Sequence, residues 1–224
     1  HMVNHQALQQ LLETRPALPT FFNGGYFVTD LKGLIIASYP TEAGRTGTNQ
    51  LSMDVILGAL RAGKSTVGLP MLSHKLNAPT VPLGVPVRDA KGQITGTLVG
   101  VIDLGKPNFL DQILSARVGQ TGGYRLIANE ARTVVTDTDK HAVLNKLPAV
   151  GINPALDRFL LGMEGSAVLV NEQQVEVLAS AKSIPAAHWS LVASLPTAEA
   201  FAPVDRLVRN IGLATLLASM LAAC

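Results

Sequence analysis

The chain has 224 residues, enough for one large or two small domains with a substantial core. Hydrophobic residues make up 47% and charged residues 15%, a globular balance that excludes a disordered or acidic-tailed protein. A net charge of +2, with the basic residues scattered, and an aromatic content of 4% with no aromatics set among basic residues give no nucleic-acid surface, and no nucleic-acid partner is expected.

His1-Met2 reads as a cloning remnant and is left out of the fold reasoning. Residues Val3 to Glu13 read as the end of an N-terminal helix, stopped before Pro16. "GYFVTDLKGLIIASYP" from Gly25 reads as a β-hairpin: Gly-Tyr, an apolar strand, a short polar turn, a second strand. A helix follows at about "NQLSMDVILGALRAG", with Leu51, Val55, Ile56, Ala59 and Leu60 on one face. The strands "TVPLGVPVRD" and "GQITGTLVGVIDL" come next, joined at Ala90-Lys91-Gly92.

The same plan then repeats. "GYRLIANEARTVVTDTD" from Gly123 is a second Gly-Tyr hairpin, and "NPALDRFLLGM" a second helix, with Asn153 to cap it and Pro154 at its first position. "QQVEVLASAKSI" and "HWSLVASLP" form the last strands. Thr197 opens a C-terminal helix that runs into the uncharged stretch Ile211 to Cys224, preceded by Arg206 and Arg209. Fourteen apolar residues are too few to cross a bilayer, which takes about 20. Because the run is apolar on all faces after an amphipathic stretch, we expect the first part of a membrane span there rather than a buried helix. The fold class expected is α+β, two copies of one module with antiparallel sheets between terminal helices.

Gly58 to Ser65 matches the phosphate-loop spacing, and "TLVGVID" offers an apolar strand ending in an acidic residue. A phosphate loop needs a strand before its glycines and a helix opening at the Lys-Ser. Here a helical pattern precedes Gly58, and Pro70 would stop a helix from Lys64 within about a turn. Gly58 and Gly63 are therefore expected to punctuate a helix end. The chain also has no Gly-x-Ser-x-Gly elbow and no paired carboxylates in a shared setting, so no catalytic residue is assigned and no enzyme activity is expected.

Cys224 is the one cysteine, and no His or carboxylate pair has ligand spacing, so no metal site or cofactor is expected. His188 beside Trp189 reads as orienting a turn, and His141 lies in a polar connection. Arg88 and Asp89 flank a turn and face solvent, Asp54 lies opposite the apolar face of its helix, and Tyr26 and Tyr124 are expected in the module cores.

"VPVRDAKGQITGTLVGVIDL", "VGQTGGYRLIANE" and "HWSLVASLPTAEAF", in this order and spacing, resemble the double Cache domain, a tandem PAS-like sensor of bacterial chemoreceptors, histidine kinases and cyclic di-GMP enzymes. "GKPNFLDQI" and "LPTAEAFAPV" resemble the members attached to diguanylate cyclase or phosphodiesterase modules. The resemblance covers about Val3 to Arg209 and implies four parts: a signalling helix (3–20), a membrane-distal module (21–106), a membrane-proximal module (107–197), and a C-terminal helix leading into the span (198–224). It implies a homodimer in the bacterial inner membrane, facing the periplasm, with a cytoplasmic output.

The family's ligand sits in the distal module beneath a covering segment, which matches "PMLSHKLNAPT" here. Ser73, His74, Lys75 and Asn77 in that segment suit a small anion such as a carboxylate, and Asp103 on the closing strand completes the candidate set. Amino-acid-binding members carry an Arg and aromatics on the helix and cover, and an Asp on the closing strand. Between Asn49 and Asn77 this chain has no aromatic and only Arg61, and Asp103 falls one residue out of step, so an α-amino acid held in that mode is not expected. The competing reading is a ligand-free dimerisation domain.

Overall fold

The computed structural model describes residues 5–204 and, beyond them, Leu207, Val208, Asn210, Ile211, Gly212, Thr215 and Ser219. Two short helices open the chain, α1 (His5–Glu13) and α2 (Leu18–Phe21). Leu8 and Leu12 of α1 pack on Tyr26, Val28 and Ala37 of the first sheet. Gln9 holds the outer strand of that sheet as a neighbouring strand would: its Nε2 donates to the Ser38 carbonyl (2.9 Å) and its Oε1 accepts from the Ser38 N–H (3.1 Å). An edge that would otherwise expose its backbone groups is thereby covered.

The first module contains β1 (Tyr26–Asp30), β2 (Ile35–Tyr39), α3 (Asp54–Ala62), β3 (Thr66–Val67), β4 (Met71–Ser73), β5 (Ala78–Arg88) and β6 (Ile94–Asp103). Its antiparallel sheet runs β2-β1-β6-β5-β3, with β4 also on β5. β5 accommodates Pro82 and Pro86 because its outer side meets only two short strands, where a missing N–H costs little.

A linking helix, α4 (Phe109–Leu114), is closed by a capping box between Asn108 and Asp111. The second module contains β7 (Gly123–Ala128), β8 (Thr133–Asp137), α5 (Pro154–Leu160), β9 (Gly165–Val170), β10 (Glu176–Ile184) and β11 (Trp189–Pro196), in the order β8-β7-β11-β10-β9. The duplicated strand order is the repeat read from the sequence. Asn153 caps α5 as expected, its Oδ1 accepting from Leu156 N–H at 3.1 Å. Helix α6 (Thr197–Ala200) follows β11.

Each sheet buries one face under its helix: Phe27, Ile35, Val99 and Val101 against Val55 and Ile56 of α3, and Ile127, Ala179 and Val192 against Leu156 and Phe159 of α5. Ile102 and Leu104 pack with Leu126, Val135 and Trp189, so the modules share a core.

One expectation changes, and one falls largely outside the described residues. The helix expected from about Asn49 begins only at Asp54, because Asn49 Oδ1 takes the Leu51 N–H (2.9 Å) in a local turn that competes with the first helical turn. Val3 and most of the run from Ile211 to Cys224 lie outside the described residues. Among the described residues no helix is long and apolar enough to cross a membrane.

Candidate functional site

The Gly58 to Ser65 motif is a helix end. α3 finishes at Ala62, Gly63 takes the left-handed conformation (φ 62°), and its N–H donates to Ala59. Arg88 Nη2 then caps the Gly63 carbonyl at 2.9 Å. A strand follows at Thr66, so no helix N-terminus faces the place where a phosphate would sit.

β4 and β5 form a hairpin over the α3 side of the first sheet, with Met71 opposite Thr80 and Ser73 opposite Ala78. Its turn, His74 to Asn77, closes with Asn77 at φ 47°, a conformation asparagine tolerates, and with Ser73 Oγ accepting from Leu76 N–H (3.3 Å). Beneath it lies a cavity of about 230 Å3. Phe27, Ile35 and Val101 of the sheet form its apolar floor, and Ser73, His74 and Lys75 stand along its covering side. Of the five residues expected at the site, three therefore line it. Asn77 shapes the turn and lies outside the lining.

Asp103 shares the pleat of Val99 and Val101 and so faces the cavity side of the sheet, not the opposite face expected of it. Its carboxylate is occupied elsewhere: Oδ1 accepts from Gly105 N–H at 3.0 Å and Oδ2 lies 3.4 Å from Lys106 Nζ. It does not line the cavity.

The residue that sequence reasoning missed is Arg45. It lies in "AGRTGT" between β2 and α3, only 6% exposed, and lines the cavity. The loop is pinned by Ile35 N–H to Thr48 carbonyl (2.9 Å), Gly47 N–H to Ile35 carbonyl (2.8 Å), and the Ser38 and Thr46 hydroxyls (3.0 Å), which turn Arg45 inward. Its guanidinium carbon stands 5.9 Å from the Phe27 ring centre. Nη2 donates to the Gly24 carbonyl at 2.7 Å, while Nη1 has no hydrogen-bond partner. Burial pushes its pKa below the ordinary arginine value, with no carboxylate to oppose the shift. A side chain at Gly25 (φ 90°) would meet Arg45 Nη1 at 2.9 Å and the Tyr39 carbonyl at 2.5 Å, so glycine is required there. The signal in the sequence was an arginine framed by Gly44 and Gly47 beside the covering helix, a setting that otherwise reads as a solvated loop.

The second module has a larger cavity, about 480 Å3, between its sheet and α5. There the cation is already matched: Arg125 Nε meets Asp137 at 2.5 Å and Arg125 Nη1 meets Glu172 at 2.6 Å. Among the described residues no group of three or more His, Cys, Asp or Glu could hold a metal ion.

A family model described as the Cache domain matches residues 3–204. No curated protein matches the chain in sequence. Among solved structures, the ligand-binding domain of the Pseudomonas aeruginosa amino acid chemoreceptor PctB with L-Arg is similar at a TM-score of 0.67 and 18% identity, over 88% of this chain and 80% of that one. The ligand-binding domain of the Pseudomonas fluorescens chemoreceptor CtaA with L-serine gives 0.60 and 18%, over 86% and 80%. The extracellular domain of the histidine kinase mmHK1S-Z2 gives 0.59 and 15%, over 87% and 81%. At these identities the likeness establishes the fold alone.

Proposed function

The chain belongs to the Cache family of sensor domains, and from that premise we propose that it is the extracytoplasmic ligand-sensing part of a membrane-bound signalling protein. The ligand is a small molecule held in the first module beneath the β4–β5 hairpin. The observation that carries this reading is the cavity itself, placed between sheet and cover and lined by Arg45, Ser73, His74 and Lys75, groups suited to an anion. The larger second cavity is disfavoured because its arginine already has two carboxylates.

Occupancy shifts the balance between two arrangements of a homodimer, and the terminal helices carry the shift through the inner membrane from the periplasmic side. A mechanical route supports this. Arg45 bonds the Gly24 carbonyl, Gly25 N–H bonds the Phe22 carbonyl, and Phe22 ends the N-terminal helical segment. The output we propose is cyclic di-GMP turnover, on the resemblance of "GKPNFLDQI" and "LPTAEAFAPV" to sensors of that class; chemoreceptor and histidine-kinase outputs fit the same fold.

A thermal-shift screen of organic acids, amino acids, nucleotides and neutral metabolites tests the proposal. Stabilisation by a small organic molecule, weakened by mutation at the hairpin, is the expected result. Silence across the whole library would leave a ligand-free dimerisation domain, and stabilisation by ATP with magnesium that Lys64→Ala abolishes would restore the phosphate loop.

A further inference from the structure

Resting on the assignment of the ligand to the first-module cavity, we infer that the ligand is a small organic acid that seats its carboxylate on Arg45 and carries no ammonium group. An arginine remains charged even when buried, and a buried cation without a counter-ion is costly to keep. Arg45 is 6% exposed, bonds a single backbone carbonyl, and has an Nη1 with no partner. The other buried-side arginine nitrogen without a hydrogen bond, Arg132 Nη2, at least lies 2.8 Å from a carboxylate, that of Asp157. Arg45 has no such neighbour among the described residues; Nη1 itself lies against Gly25, and a carboxylate in the cavity that Arg45 lines supplies the missing countercharge.

The same cavity argues against an ammonium group. No Asp or Glu lines it, and the nearest candidate in the strand, Asp103, is engaged by Gly105 and Lys106. An ammonium inside would face Arg45 and Lys75 with nothing to balance it. Apart from its polar groups the wall is hydrocarbon: Phe27, Ile35, Met53, Leu76, Pro82 and Val101. A volume of about 230 Å3 admits a short-chain acid. The relatives crystallised with amino acids differ here in the charge their ligands bring, not in the fold.

Calorimetric titration of the chain with straight-chain carboxylates from acetate to hexanoate, each set beside its primary amide and its amino-substituted counterpart, tests this. Butyrate, butyramide and γ-aminobutyrate are one such trio. At least one carboxylate is expected to bind, with its amide and amino partner on the order of tenfold or more weaker, the scale of a lost charge-assisted contact. Arg45→Gln weakens that carboxylate by a similar factor. Equal binding of the amide or the amino acid, or an Arg45→Gln protein that folds and binds the carboxylate unchanged, overturns the inference. If Arg45→Gln does not fold, the amide comparison on the unaltered chain decides alone. A neutral or cationic molecule bound under the hairpin would sink the ligand class while leaving the sensing proposal standing, whereas no binding from any chemical class sinks both.

Discussion

The hydroxyl of Tyr26 donates to the carbonyl of Leu12 at 3.0 Å in a fully buried position, tying the first strand of the sheet to the last turn of the N-terminal helix. The ring is also stacked on Tyr39, with centroids 5.0 Å apart. Tyr26→Phe keeps the stacking and removes the bond, so a loss of about 1 kcal/mol is expected, the usual net worth of one hydrogen bond. Chemical denaturation measures it. A variant as stable as the parent would mean that the helix docks through Leu8 and Leu12 alone.

Gly100 lies directly under Phe22: a methyl group there would sit 2.3 Å from the ring. Gly100→Ala therefore overpacks the join between the N-terminal segment and β6 and is expected to cost about 1–3 kcal/mol. Phe22→Leu in the same chain makes room and recovers part of the loss. If the double variant is no more stable than Gly100→Ala alone, the ring is not what the methyl meets.

Much of the fold was legible in the sequence because its signals are local. Gly25-Tyr26 and Gly123-Tyr124 open both hairpins, Asn153 and Pro154 start α5, and the apolar run from Leu98 to Ile102 marks β6. β4 was not legible, since three residues among prolines carry no period. The hairpin part of the candidate site was legible for the same reason. Ser73, His74 and Lys75 sit together in the chain, whereas the inward turn of Arg45 is set by Ile35, Ser38 and Gly24, contacts between residues distant in sequence. Tertiary contacts, not local composition, bury Arg45.

His74 and Lys75 are both exposed at the cavity's edge, in contrast to Arg45. Exposed charges contribute little to the fold and modestly to attraction, about 0.2–1 kcal/mol each. His74→Ala and Lys75→Ala are thus expected to leave the melting temperature of the unliganded chain unchanged. Lys75→Ala is expected to weaken a bound carboxylate by roughly two- to fivefold, an effect that fades in high salt. Isothermal titration at two ionic strengths checks both statements. A loss that persists at high salt would place Lys75 in direct contact with the ligand.

Glu199 of α6 holds the entry loop of the second module: its carboxylate accepts from the hydroxyl of Thr121 (2.5 Å) and from the N–H groups of Gln120 (2.5 Å) and Thr121 (3.1 Å). The Thr121 hydroxyl bond, followed by the Gln120 amide, lowers its pKa below the ordinary glutamate value. A carboxylate whose pKa is lower folded than unfolded stabilises the fold above the unfolded pKa of about 4.3, and the contribution disappears as pH falls through the folded value. Glu199→Gln should therefore melt below the parent at pH 7, and the gap should narrow steadily as the pH is lowered beneath about 4. On the sensing role proposed above, in which α6 is the exit from the second module, the same variant is also expected to weaken the response to ligand without altering ligand affinity in the isolated chain. A melting difference that is independent of pH would show that the glutamine variant perturbs packing of α6 and not a charge-dependent latch.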